Sequence, residues 1–229
     1  MFMRKEELLR QFSLNIPAKY QPESLLRVAH LDPKKLRKAA VLIPCVDRPE
    51  GLSVILTKRA PHLKNHPGQI SFPGGKFEFF DRSLADTAIR EAHEEIGLHP
   101  SQVNIFGQLP ELTTISRFNV TPFIAFVDDG YQSIIDKNEV DYIFEVPATY
   151  LFNPDNLYSK KVQIKGSAHR IFAINYQRHF IWGVTAQIIQ ALQAQLSIKD
   201  LANYSPSSID SQIVSHSNLQ QQTILHSTV

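Results

Sequence analysis

The chain has 229 residues, 43% of them hydrophobic and 20% charged, and a formal net charge of +2. Those values describe an ordinary globular domain with extra terminal segments, long enough to bury a core. So small a net charge makes no case for nucleic acid or an acidic membrane surface as partner, and a single cysteine, Cys45, excludes an internal disulfide.

The N-terminus, MFMRKEELLRQF, is charged throughout and lacks the apolar core of a signal segment. No stretch approaches the roughly 20 apolar residues of a membrane span, so a cytoplasmic protein is expected. Residues 4–12 and 23–30 carry Leu, Phe and Val at helical spacing, with Pro22 and Glu23 opening the second piece. Residues 1–34 therefore read as an N-terminal helical extension of a main domain spanning 35–197. Residues 39–46 and 52–56 are apolar runs around the turn cluster Asp47-Arg48-Pro49-Glu50-Gly51, which predicts a hairpin with Cys45 packed inside it. Ser83 followed by Asp86 marks a helix start, and Gly97 marks its end. Strands follow near 103–109 and 119–127, then a loop over 128–138 and a short strand over 142–146, with Pro147 opening a turn or helix. Residues 162–164 and 171–174 pair around Gly166-Ser167, and 181–196 form a second helix buried along Ile181, Ile188, Ile189, Leu192 and Leu196. From Tyr204 to Val229 only Asp210 is formally charged, and apolar residues are too sparse for a core, so 198–229 is expected to be a flexible Ser/Gln-rich tail. Runs of strands with isolated helices give an α+β class, a mixed sheet between helices.

The chemistry concentrates in the first of the two long helices. Arg90-Glu91-Ala92-His93-Glu94-Glu95-Ile96-Gly97 follows a glycine-rich turn, Phe72-Pro73-Gly74-Gly75. At about 100° per residue, Glu91, Glu94 and Glu95 share one face. Carboxylates that close repel by roughly 1 kcal/mol per pair in water, and by more when partly buried. A solvated, ion-paired helix face is the plain alternative. However, Leu84, Ala85, Ala88, Ile89, Ala92 and Ile96 form a buried stripe, and the glutamates lie on and beside its border, where they would line a cleft. Oxygen-only ligands point to Mg²⁺ or Mn²⁺. Glu91 and Glu95, one turn apart, would ligate one ion, and Glu94 a second ion or a water. Arg90 would brace the glutamates, and His93 faces away from them.

These residues resemble the Nudix hydrolase family, whose signature ends R-E-U-x-E-E-x-G-U with U a bulky aliphatic residue. Arg90, Glu91, Glu94, Glu95, Gly97 and Leu98 fit it, with a small Ala92 at the first U. Gly75 fits the first half, whereas Asp81 stands where the family usually has Glu, one residue farther from the arginine than is common. Both departures are similar to the coenzyme A pyrophosphatase branch. So is the upstream run Leu56-Thr57-Lys58-Arg59-Ala60, Lys64, Gly68 and Phe72-Pro73-Gly74-Gly75, with a weaker likeness at Ile181-Trp182-Gly183-Val184-Thr185-Ala186. The resemblance implies a Nudix-type α/β/α sandwich, a metal ligand from the Gly75 carbonyl, and a general base on the loop carrying Glu139, with Glu111 and His66 as weaker options. It implies a small-molecule substrate, coenzyme A or an acyl-CoA. Arg59 and Lys64 would meet a third phosphate, Lys58 would be solvated on the other strand face, and Gln69, Ser71 and Phe72 would line the same cleft. The rival substrate is ADP-ribose or another nucleoside diphosphate derivative, and a third reading is a nucleotide-sensing module without catalysis. Phe77, Phe79 and Phe80 would shape a substrate pocket, pack on the N-terminal helices, or bury in a homodimer. Other chemistries fail on spacing: Gly75-Lys76 lacks the flanking residues of a P-loop, and Gly97 stands where a zincin needs its second histidine.

Overall fold

The computed structural model describes residues 2–15, 19–164 and 167–196. In chain order the elements are α1 (Lys5–Leu14), α2 (Pro22–Leu26), β1 (Arg37–Arg48), β2 (Gly51–Arg59), β3 (Ile70–Ser71), β4 (Gly74–Lys76) and α3 (Leu84–Ile96). They continue with β5 (Val103–Gln108), β6 (Leu112–Thr113), β7 (Phe118–Val127), β8 (Val140–Pro147), α4 (Ala148–Leu151), β9 (Tyr158–Ile164), β10 (Ser167–Tyr176), β11 (His179–Trp182) and α5 (Val184–Leu196). The expected tail lies outside the described residues, as does Gly166 of the expected hairpin turn.

The main sheet is mixed. Its path runs β3-β2-β1-β7-β5, with β4 on β1, β6 on β7 and β8 on β2. β1 pairs with β7 in parallel, from Arg37 opposite Phe118 to Val46 opposite Val127; the remaining pairings in this sheet are antiparallel. β9, β10 and β11 form a second, three-stranded antiparallel sheet.

Two-residue alternation explains the layers, because successive side chains of a strand point to opposite faces. On β1, Ala39, Ile43 and Cys45 enter one apolar cluster with α1 and α5, while Ala40, Leu42 and Val46 enter another with α3. β7 divides in the same way, Val120 and Ile124 against Phe123, Ala125 and Val127. Both faces being covered, the central strands read as nearly continuous apolar runs. The result is the α+β, α/β/α sandwich.

The hairpin of β1 and β2, the strands at 103–109 and 119–127, and the helix beginning at 84 all stand as the sequence predicts. Two boundaries differ. The second N-terminal helix is only Pro22–Leu26, followed by turns. The closing helix starts at Val184, because Ile181 and Trp182 belong to β11 and Gly183 turns the chain with φ of 71°. Ile181 is buried as a strand residue, which its place on a helical stripe conceals. The N-terminal segment is built into the core: Leu8 and Phe12 of α1 are buried in the cluster that holds α5, and Phe12 meets Phe106 edge to face.

Candidate active site

Helix α3 is fixed at both ends by its own sequence. Ser83 Oγ accepts the Asp86 N–H at 3.1 Å, and left-handed Gly97 donates to the His93 carbonyl at 2.9 Å. The loop over 128–138 then docks on its C-terminus. The N–H groups of Ile134 and Asp136 donate to the carbonyls of Ile96 and Glu95, each at 3.1 Å, and the Tyr131 hydroxyl donates to Ile96 at 2.7 Å. Carbonyls that a helix leaves unpaired are thereby satisfied. The same loop ends at Glu139, whose carbonyl accepts from Ala60 just beyond β2.

Beneath this frame lie the carboxylates. Glu95 is 3% exposed and accepts the Gly74 N–H at 3.3 Å. Burial, then the neighbouring Glu91, push its pKa up to about 8. Glu91 is half-buried, and burial raises its pKa against the pull of Arg90. Glu139, exposed on its loop, adds its negative field to both, whereas Arg59 on β2 opposes the upward shift of Glu95. The charges of Glu139 and Arg59 are therefore both felt at Glu95. Glu94 is the outlying carboxylate, 55% exposed and bound to Arg90 Nη1 at 2.8 Å.

Arg90 makes five hydrogen bonds. Nε and Nη2 donate to Asp81 at 2.9 and 3.1 Å, Nη1 to Glu91 at 3.0 Å and to Glu94, and Nη2 also to the Lys76 carbonyl at 3.0 Å. A guanidinium has five N–H donors, so none is left for substrate, and Arg90 positions the glutamates and the glycine loop. Asp81 is buried. It also accepts from Thr87 Oγ1 and the Glu78 N–H, each at 2.9 Å, and Arg90 beside it holds its carboxyl down at about 2. These bonds tie the loop before α3 to Arg90.

A cleft of about 450 Å³ opens beside the glycine loop. Arg59, Gln69, Ser71 and Phe72 line it together with Gly74 and Gly75, against which Glu95 and Glu91 are held. Lys64 is exposed and outside this lining. Lys58, expected to be solvated, pairs with Asp141 at 3.4 Å and lies over the Tyr142 ring. His66 lies on the rim, and Glu111 is engaged by Asn119 and Thr121. Phe79 and Phe80 are exposed, Phe80 carrying the Arg90 guanidinium 5.4 Å from its ring centre. Arg37 and Lys76 also line the cleft and carry no sequence prediction. Lys76 is adjacent to the motif and visible in it. Arg37 opens β1 with no local signal and reaches the cleft only through the sheet.

The donor set fits a divalent cation. A buried carboxylate beside a second one disfavours charge until a cation arrives, and both offer only oxygen. Among the described residues no group of three or more His, Cys, Asp or Glu side chains is placed to hold a metal ion, so Glu91, Glu94 and Glu95 do not form a complete site by themselves. A divalent ion held here would complete its shell with oxygens beyond these two carboxylates, from water, backbone or substrate.

The Nudix domain family matches residues 36–164, more than half of the chain. The chain belongs to the Nudix family. As a Nudix hydrolase it acts on phosphoric anhydride bonds and depends on a divalent metal ion. The protein named "Uncharacterized Nudix hydrolase NudL" from Yersinia pestis (strain Pestoides F) is 38% identical over 192 residues, covering 84% of this chain and 94% of that one. Its namesake from Yersinia pseudotuberculosis serotype O:1b has the same identity and coverage. Among solved structures, the Nudix hydrolase RenU from M. smegmatis aligns at 23% identity and a TM-score of 0.43, over 49% of this chain and 71% of that one. Among the described residues no helix is long and apolar enough to cross a membrane.

Proposed function

We propose that this Nudix hydrolase cleaves the diphosphate of coenzyme A, free or acylated, to 3′,5′-ADP and 4′-phosphopantetheine or its acylated form. The observation that carries the reading is Arg59. It lies in the run Leu56-Thr57-Lys58-Arg59-Ala60 that resembles the coenzyme A branch, and its charge faces the buried glutamates from the wall of the cleft. Arg37, bonded to the Ser116 carbonyl and stacked on Phe118, and Lys76 line the same space, and the positive lining supports a substrate with three phosphates.

Glu91 and Glu95 would hold the Mg²⁺ or Mn²⁺ ion, with the Gly75 carbonyl as a further ligand and Glu94 at the exposed margin. Once bound, the ion neutralises phosphate oxygens around the bond to be broken. Glu139 would take the proton of the attacking water, its loop being held at the C-terminus of α3. Gln69 and Ser71 would orient the substrate, and buried Phe72 would fix the floor beneath them.

Mass spectrometry of the products from coenzyme A, 3′-dephospho-coenzyme A and ADP-ribose with Mg²⁺ tests the reading. Formation of 3′,5′-ADP and 4′-phosphopantetheine is expected; turnover of ADP-ribose with coenzyme A left intact overturns it.

A further inference from the structure

A second chamber of about 440 Å³ adjoins the cleft and shares His66, Gln69, Thr114, Ser116 and Val184 with it. Its outer walls come from segments beyond the glycine loop and α3: Val28 after α2, Ile115 before β7, Ile171 and Phe172 on β10, and Trp182 on β11. Ile115, Ile171 and Trp182 are 51%, 38% and 47% exposed, so large apolar side chains gather on an open wall. Clustered exposed apolar surface inside a concavity marks a binding site rather than ordinary surface.

Resting on the coenzyme A reading above, we propose that this chamber receives the acylated end of the pantetheine arm, and that the enzyme selects acyl thioesters by burying their alkyl chain against Trp182, Ile171 and Val28. Charge sorts the two ends of such a substrate. Arg37, Arg59 and Lys76 line the cleft beside the glycine loop and would hold the phosphates there. In the chamber Arg170 gives its Nη1 and Nη2 to Ser159 and Glu23 while its Nε is buried without a hydrogen-bond partner, and with Arg27 it meets a mostly apolar wall. Gln69, Thr114 and Gln187 offer donors and acceptors to the amides of the arm on its way in.

Trp182 is the sole tryptophan of the chain, so its emission reports the chamber directly. Full-length protein without added metal is titrated with S-acyl-pantetheines, which lack the nucleotide, from acetyl to dodecanoyl and below their micellar concentrations. A saturable change in Trp182 emission is expected, with affinity tightening up to about fourfold per buried methylene. Ile171→Arg, at a part-exposed strand position that tolerates a charge, should flatten this dependence with unchanged circular dichroism. It should also bring the dodecanoyl-to-acetyl ratio of kcat/KM on the CoA thioesters towards one. Emission that ignores every acyl-pantetheine but responds to 3′,5′-ADP overturns the assignment and gives the chamber to the nucleotide. No response to either, in a protein that hydrolyses coenzyme A, also overturns it while the reaction reading stands. A chain-length-dependent response without hydrolysis of any CoA ester supports the chamber and sinks the reaction reading.

Discussion

Gly75 lacks a side chain because the Glu91 carboxylate fills the space: an added Cβ would lie 2.3 Å from Oε1. The group in the way is the flexible end of a side chain, so Gly75→Ala should displace Glu91 and leave the fold intact. Activity is expected to fall by ~10–100-fold with a near-native melting temperature. Gly74→Ala differs, since its Cβ would meet the Ala40 carbonyl oxygen at 2.4 Å and the Val41 Cα at 2.6 Å; there the melting temperature itself should drop. Glu95→Gln keeps the size but removes a buried acid. Steady-state assays should show kcat reduced at least ~100-fold, and thermal denaturation should show no loss of stability, because no buried charge is stranded. Arg59→Ala should raise KM for coenzyme A more than for its 3′-dephospho form; equal losses on both would remove Arg59 from the 3′-phosphate.

At the level of elements, the glutamates depend on what clamps α3 and its approaches. Asp81, Arg90 and the loop over 128–138 secure the two sides, and α1 supports the opposite face of the sheet. Phe12 of α1 lies against Gly107, where β5 shifts register on β7 and an added Cβ would fall 2.2 Å from the ring. Gly107, next to the unpaired Phe106, leaves a socket free of side chain, and the Phe12 ring fills it. Phe12→Ala should therefore cost about 3 kcal/mol of unfolding free energy, through lost burial and the cavity left behind, measurable as a lower urea midpoint. A change under about 0.5 kcal/mol would mean that α1 is an appendage rather than part of the core.

Across the whole molecule, pH ties the site to stability. Asp81 titrates at about 2 when folded against an ordinary 3.8, so below neutrality the unfolded chain takes up its proton first. The stabilisation from the Asp81–Arg90 pair is thus complete above about pH 4 and is lost as pH falls through about 2. Asp81→Asn should be less stable at pH 7 and show a shallower acid limb, read from urea midpoints between pH 2 and 7; parallel limbs would deny the pair that role. The sequence by itself determined what depends on neighbours in the chain: the ends of α3 from Ser83 and Gly97, the glutamate stripe from helical spacing, and β1 and β7 from two-sided apolar runs. Short β3, β4 and β6 escaped it, since two or three residues carry no period. So did the start of α5, because Ile181 suits a buried helix stripe and a buried strand equally. Only the tertiary structure decided that Arg90 is fully occupied, that Arg37 joins Arg59 and Lys76 at one cleft, and that the loop ending at Glu139 docks on the C-terminus of α3. The cleft and the docked loop join segments far apart in the chain, while Arg90 meets partners within 14 residues whose side-chain geometry is set by packing rather than by helical spacing alone.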